Sequence, residues 1–214
     1  MKRLMMVATL AMAQAGCVAG QGDAPVQFSQ ALGLAGAPGE DCTTDTSKFL
    51  SQGRLNLSGG SNYLLAMRVR TTIPSARPVT IGGSNTSVGG ESVTLTEYVY
   101  SYEGPAYLNL PKEETVATYT VLAAGGSTDA YVFLNAFGPQ ALSKLNASSQ
   151  VGQEPVGVIS TIKGRGTLGT SSHVESNEFS FPILVTNSGC TTGTLGGICN
   201  VGQDAACTSA AQTP

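Results

Sequence analysis

Apolar residues along this chain recur mostly at every second position, the period of a strand with one buried face. Leu55 and Leu57 alternate with Arg54 and Asn56 until the turn residues Ser58, Gly59, Gly60 and Ser61 intervene. Residues 63–72 read as a strand, with Leu65, Met67 and Val69 on one face and Arg68 and Arg70 on the other. Residues 92–102 alternate again, and straight period-two counting sets Val93, Leu95 and Val99 against Thr94, Thr96, Tyr98, Tyr100 and Tyr102. Further strands are expected over 106–110, 116–123, 131–137, 156–168 and 178–185. Pro182, which has no N–H to give a ladder, predicts an edge position or a bulge in the last of them. The Gly- and Pro-bearing loop 74–90, with a short strand at 79–81, is long enough to cross between sheets. One short helix is expected over 139–145, with Pro139 at its start, where a missing N–H costs nothing. Strands spaced by about eight to twelve residues with Gly-rich turns imply an all-β fold, an immunoglobulin-like β-sandwich of about seven to eight antiparallel strands in Greek-key order.

The first 41 residues depart from this pattern. Lys2 and Arg3 precede an uncharged apolar run of ten residues, 4–13, which leads into Gln14, Ala15, Gly16 and Cys17. A basic start, a short apolar stretch and small residues before a cleavage point mark an export signal, and the run is well short of the about 20 residues that span a bilayer. The end of the run resembles the bacterial lipobox, in which the cysteine takes a diacylglycerol and becomes the mature N-terminus. Residues 1–16 are then a lipoprotein signal, Cys17 carries the lipid, and Val18 in place of Asp implies the outer membrane. Gln14 stands where the lipobox usually has Leu, which leaves plain secretion as the alternative. Residues 17–41, rich in Ala, Gly, Gln and Pro without sustained period, are expected to form a flexible tether with a reach of roughly 25–30 Å.

Composition narrows the partners. Without Lys2 and Arg3, nine basic residues face 14 acidic ones, a net charge of −5, which argues against nucleic acid. Residues 42–190 suffice for one domain with a substantial core, and residues 191–214, rich in Gly, Thr and Ala, read as a tail. Four cysteines follow Cys17: Cys42, Cys190, Cys199 and Cys207. An even number in an exported chain implies two disulfides, with three possible connectivities. The favoured one joins Cys42 to Cys190, stapling the ends of the domain, and Cys199 to Cys207, closing a small loop in the tail. The spacings include no C-x-x-C and His173 is the single histidine, so no metal site is expected.

Catalytic patterns are weak. Gly164, Gly166 and Gly169 satisfy G-x-G-x-x-G, but polar, β-leaning residues follow where a dinucleotide site needs a helix, so a hairpin is expected and no nucleotide. Ser171, Ser172, His173 and Glu175 crowd into one hairpin stretch with no G-x-S-x-G elbow, which predicts an exposed turn histidine. A carboxylate pair among Glu97, Glu103, Glu175 and Glu178 needs a separation that only coordinates supply. The best binding feature is Tyr98, Tyr100 and Tyr102 on one strand face with Tyr107 nearby, a stripe suited to stacking on sugar rings or docking a partner.

Residues 163–190, KGRGTLGTSSHVESNEFSFPILVTNSGC, followed by Cys199, NVGQD and Cys207, resemble the end of a family of cysteine-containing envelope lipoproteins from surface-gliding soil bacteria. Residues 54–70, GRLNLSGGSNYLLAMRVR with its preceding Gly, are similar to the front of the same family. The resemblance covers about a third of the chain and is most specific at VESNEFSFPI. It implies a small all-β envelope lipoprotein with no assigned activity; separately, no cofactor is expected. The family usually shows a second cysteine shortly before the one at Cys190, where this chain has Thr186 and Asn187. The expected function is a non-enzymatic lipoprotein, held by its lipid at the outer membrane, whose sandwich contacts an envelope protein or polysaccharide. The alternative is a glycan-binding module using the tyrosine face.

Overall fold

The computed structural model describes residues 24–36, 40–60, 62–125, 130–152, 154–170, 172–189, 193–197, 199–205 and 207–209. The export signal, Cys17, the first part of the expected tether and Cys190 lie outside the described residues. The longest strand is the clearest period-two run. β10 (Val156–Leu168) buries Val156, Val158, Ser160, Ile162, Gly164 and Gly166 and leaves the residues between them partly or fully exposed. It pairs antiparallel with β7 (Val93–Glu103) on one side and β12 (Phe179–Thr186) on the other, and its end folds back into β11 (Ser172–Glu175). β8 (Glu114–Leu122) extends this sheet beyond β7, and β3 (Gly53–Asn56) extends it beyond β12.

The second sheet runs in the order β2 (Thr43–Leu50), β1 (Val26–Ala35), β4 (Leu64–Thr71), β9 (Ala130–Asn135). Leu65, Met67 and Val69 of β4 and Val132 and Leu134 of β9 meet Leu95, Ile162, Phe181 and Ile183 of the larger sheet in one apolar cluster. The described residues therefore form an all-β sandwich with one α-helix, α1 (Pro139–Ala147), between β9 and β10. One pair departs from the antiparallel expectation: β3 runs parallel to β12. That ladder begins at Ile183, so β12 is locally an edge at Pro182, where no donor is required. The loop 74–90 proves to be a hairpin of β5 (Arg77–Ile81) and β6 (Ser84–Val88) with every strand residue exposed. Residues 106–110 form a 3-10 turn (Ala106–Leu108), not a strand; Asn109 ends it at φ 48°, a left-handed position that a continuing strand does not allow.

β1 corrects the expected tether and the domain boundary at residue 42. It lies between β2 and β4, with Val26 and Phe28 in the core. The register against β4 then slips by one residue at Ser29, so the next core residue is Ala31 and not Gln30. Such a bulge breaks the alternation that reveals a strand, and read straight through it sets a glutamine on the core face. Leu32 and Leu34 are buried on the opposite side, against Ala66 and Cys199. Burying Phe28 alone contributes about 1.5–3 kcal/mol, which a tether forgoes.

The tail is corrected as well. Cys42 is bonded to Cys199, 157 residues further along, with Cα atoms 5.4 Å apart. This overturns both favoured pairs, Cys42 with Cys190 and Cys199 with Cys207. The cause is that residues 199–204 dock onto the body. The Asn56 N–H donates to Gly202 O at 2.9 Å, the Asp204 N–H donates to Arg54 O at 2.8 Å, and Gln203 bridges Leu55. The segment thus runs along the outer edge of β3 and brings Cys199 to the start of β2. Cys207 opens β14 (Cys207–Ser209), which pairs with β13 (Gly193–Leu195).

Candidate functional site

β7 carries the tyrosines, and its register decides what they can do. Thr96 is the extra residue of a bulge against β10, where Arg165 and Gly166 pair with Glu97 and Leu95, and at the same level β8 sets two residues, Thr118 and Tyr119, opposite Thr96. The strand turns by one residue, so Val93 and Leu95 are followed into the core by Tyr98 and Tyr100. Tyr98 is 4 % and Tyr100 2 % exposed, Tyr102 packs half-buried between Tyr100 and Phe137, and Tyr107 stands apart on the 3-10 turn. The expected binding face of Tyr98, Tyr100, Tyr102 and Tyr107 is therefore not one exposed stripe: Tyr98 and Tyr100 belong to the core, Tyr102 is half-buried, and Tyr107 is exposed away from them. The Tyr100 hydroxyl donates to Asn135 O at 2.9 Å. Burial, reinforced by its neighbours, pushes the Tyr100 and Tyr102 hydroxyls far above their ordinary pKa, so both act as fixed donors.

Tyr102 leads to a group that period counting does not single out. Its hydroxyl donates to Glu114 Oε1 at 2.6 Å and accepts from the Gly138 N–H at 2.8 Å. The same carboxylate, 4 % exposed, accepts from the N–H groups of Gln140 (2.9 Å) and Ala141 (3.3 Å) in the first turn of α1. α1 has no capping side chain of its own at Gly138, so a carboxylate from β8 satisfies its free donors and its positive end. A Cβ at Gly138 would collide with that carboxylate, so a larger residue there would displace the cap. The signal in the sequence was the opening FGPQ, a helix start without Ser, Thr, Asp or Asn.

What the buried tyrosines line is a cleft. It lies between β8 and β9, each the last strand of its sheet, and encloses ≈ 320 Å³ bounded by Tyr98, Tyr100, Val116, Thr118, Phe133 and Leu142. Around it Tyr119 is 79 %, Val121 51 % and Phe133 45 % exposed. A shallower apolar depression of ≈ 380 Å³ crosses the outer face of the larger sheet at Ile159, Pro182 and Leu184.

The remaining candidates are structural. β10 and β11 form a hairpin turning at Gly169 (φ 56°), and a side chain on Gly166 would collide with Thr94 O, so these glycines serve a turn and a bulge. His173 is exposed on β11. Glu175 is held by Lys163 (3.2 Å) and Arg165 (2.8 Å), which lower its pKa, and Arg165 also reaches Glu97 at 3.9 Å. These carboxylates neutralise cations on the sheet's outer face. Among the described residues no group of three His, Cys, Asp or Glu is placed to hold a metal ion, and no helix is long and apolar enough to cross a membrane. No protein-family model, curated protein or solved structure matches this chain.

Proposed function

We propose that the chain is a lipid-anchored protein of the outer membrane, without chemistry of its own, that presents a disulfide-stapled β-sandwich for contact with other envelope proteins. The observation that carries this reading is the use of its five cysteines. A Cys42–Cys199 bond that joins the start of β2 to the far end of the chain suits an oxidising compartment outside the cytoplasm. Five is an odd number, and Cys17 stands directly after Ala15 and Gly16, where acylation requires a cysteine. The glycan alternative loses its support with the burial of Tyr98 and Tyr100. The sandwich is also held closer to its anchor than a tether ending at residue 41 would place it. β1 begins at Val26, nine residues after Cys17, so even a fully extended link spans no more than about 30 Å.

The test is the intact mass and location of the exported chain. The expected product begins at Cys17, carries a diacylglyceryl group and fractionates with the outer membrane, whereas Cys17→Ser leaves the membrane fraction. A wild-type chain released with a free Cys17 thiol, or a Cys17→Ser chain that stays membrane-bound, would overturn the anchor.

A further inference from the structure

Every residue in the two strands of the β5–β6 hairpin is exposed, so this arm does not lie back on the sandwich. A two-stranded hairpin left alone in water is only marginally stable. This one is nevertheless regular: Arg77 to Ile81 pair without a break against Val88 to Ser84. Gly82 and Gly83 close it at φ 59° and 85°, the two left-handed positions of a tight hairpin turn. The register sorts its side chains. Arg77, Val79 and Ile81 share one face with Val88, Thr86 and Ser84, whereas Pro78, Thr80, Asn85 and Ser87 make the other. On that second face the Thr80 hydroxyl donates to Asn85 Oδ1 at 2.7 Å. The first face is aliphatic with one cation at its base, and Ile81 near its tip is 64 % exposed. Residues 74–90 contain no acidic side chain, in a chain that is acidic as a whole.

The place of the arm in the fold says what covers that face. Val26, at the start of β1, pairs with Thr71, at the end of β4, and the Thr72 N–H donates to Pro25 O at 3.0 Å. The arm and the segment leading back to Cys17 therefore leave the body side by side. Cys17 lies eight residues before Pro25 and Ile81 nine residues after Thr72, so the two have nearly equal reach, at most about 30 Å from that hydrogen bond. We propose that the arm is a second membrane contact, with Val79, Ile81 and Val88 set into the headgroup region of the bilayer that holds Cys17 and Arg77 against lipid phosphate. This rests on the lipid-anchor reading above. Three aliphatic side chains bind a bilayer weakly by themselves, but an anchor within the same reach keeps the arm at high local concentration, where a weak contact suffices. Arg77 lays its stem along the aliphatic face and keeps its head among the phosphates. The contact also orients the sandwich. β7 runs about 33 Å from Val93, just after the arm, to Glu103, so the end bearing Tyr107 faces away from the membrane.

The test supplies the anchor chemically, so that it does not depend on acylation. The mature chain with hexahistidine in place of Cys17 is bound to phosphatidylethanolamine–phosphatidylglycerol vesicles that contain a nickel-chelating lipid. The chain has no tryptophan, so Ile81→Trp and, at the far end, Tyr107→Trp each provide a single emitter. Lipids brominated in their acyl chains are expected to quench the Ile81→Trp variant about twofold and to leave Tyr107→Trp unchanged. Because tryptophan itself favours the interface, the unsubstituted arm is followed by hydrogen exchange. Its amides over 77–88 should slow about fivefold on the vesicles, and Val79→Ser with Ile81→Ser and Val88→Ser should abolish the slowing. An arm that is not quenched, or that exchanges equally fast on and off the vesicles, overturns the proposal and leaves the anchor standing. Slowing that survives the three serines also overturns it, because the aliphatic face is then not what touches the lipid. A free Cys17 thiol in the intact mass of the exported chain overturns both readings.

Discussion

One part of the sandwich is shut by two side-chain amides, and another, between β8 and β9, has nothing comparable. The Asn177 amide accepts from the Phe28 N–H at 2.6 Å and donates to Phe28 O at 3.0 Å. The Gln203 amide accepts from the Leu64 N–H at 2.9 Å and donates to Leu64 O at 2.8 Å. Each therefore acts as a one-residue strand, satisfying both backbone groups of a residue in the smaller sheet, and each is itself buried. Beside the cleft between β8 and β9 the Tyr100 hydroxyl of β7 donates to Asn135 O of β9, and apolar residues line the open space. Closure of this fold by the amides is thus polar and directional, and where they are missing the sheets part around the cleft.

Breaking the closed part should cost most at the disulfide. Opening a loop of 157 residues removes up to about 5 kcal/mol in the chain-entropy account. Cys199→Ser should also loosen the docking of Gln203, so hydrogen exchange at the Leu64 N–H should accelerate together with a fall in melting temperature. Equal stability with and without reductant would show that the amides hold the end unaided. Asn177→Ala comes next, because it leaves the Phe28 N–H and C=O buried without partners; about 2–4 kcal/mol is expected in denaturant unfolding. Glu114→Gln should cost less, about 1–2 kcal/mol. The amide keeps an acceptor for α1 but loses the charge that favours the helix's positive end, and helix-specific exchange should report it.

These residues also mark how far the sequence could be read. Where period two runs unbroken, as in β4 and β10, both the strand and its buried face were legible from Leu65, Met67, Val69 and the run from Val156. Where one residue is inserted, legibility ends. Ser29 hid β1 inside an apparent tether, and Thr96 turned Tyr98 and Tyr100 from an apparent binding face into core. Period counting has no means of placing a bulge, because the extra residue is set by the pairing of neighbouring strands and not by its own side chain. VESNEFSFPI, the most specific phrase of the resemblance, contains Asn177, whose value lies in Phe28, 149 residues away. The Cys42–Cys199 bond was hidden for the same reason, since it follows from docking of the tail onto β3.

The smallest effect on stability, and the sharpest on the comparison, should come from the β2 edge. Asp45 accepts from the Ser47 hydroxyl at 2.6 Å and pairs with Lys48, and these contacts lower its pKa to about 2. A depressed carboxylate stabilises the fold fully above its unfolded value of 3.8 and loses that contribution as pH falls toward 2, so the charge guards this edge at any ordinary pH. Asp45→Asn with Lys48→Gln should leave the melting temperature nearly unchanged, because an exposed pair is screened by solvent. If charge is what keeps β2 free, the same variant should sediment as a larger species than the wild-type chain, because an uncharged edge is then available. A mass unchanged from the wild type would assign the protection to the register break between Leu32 and Gly33. In that case geometry alone guards the β2 edge, and the place to test it is the three residues Thr46, Ser47 and Lys48 that β2 inserts opposite that break.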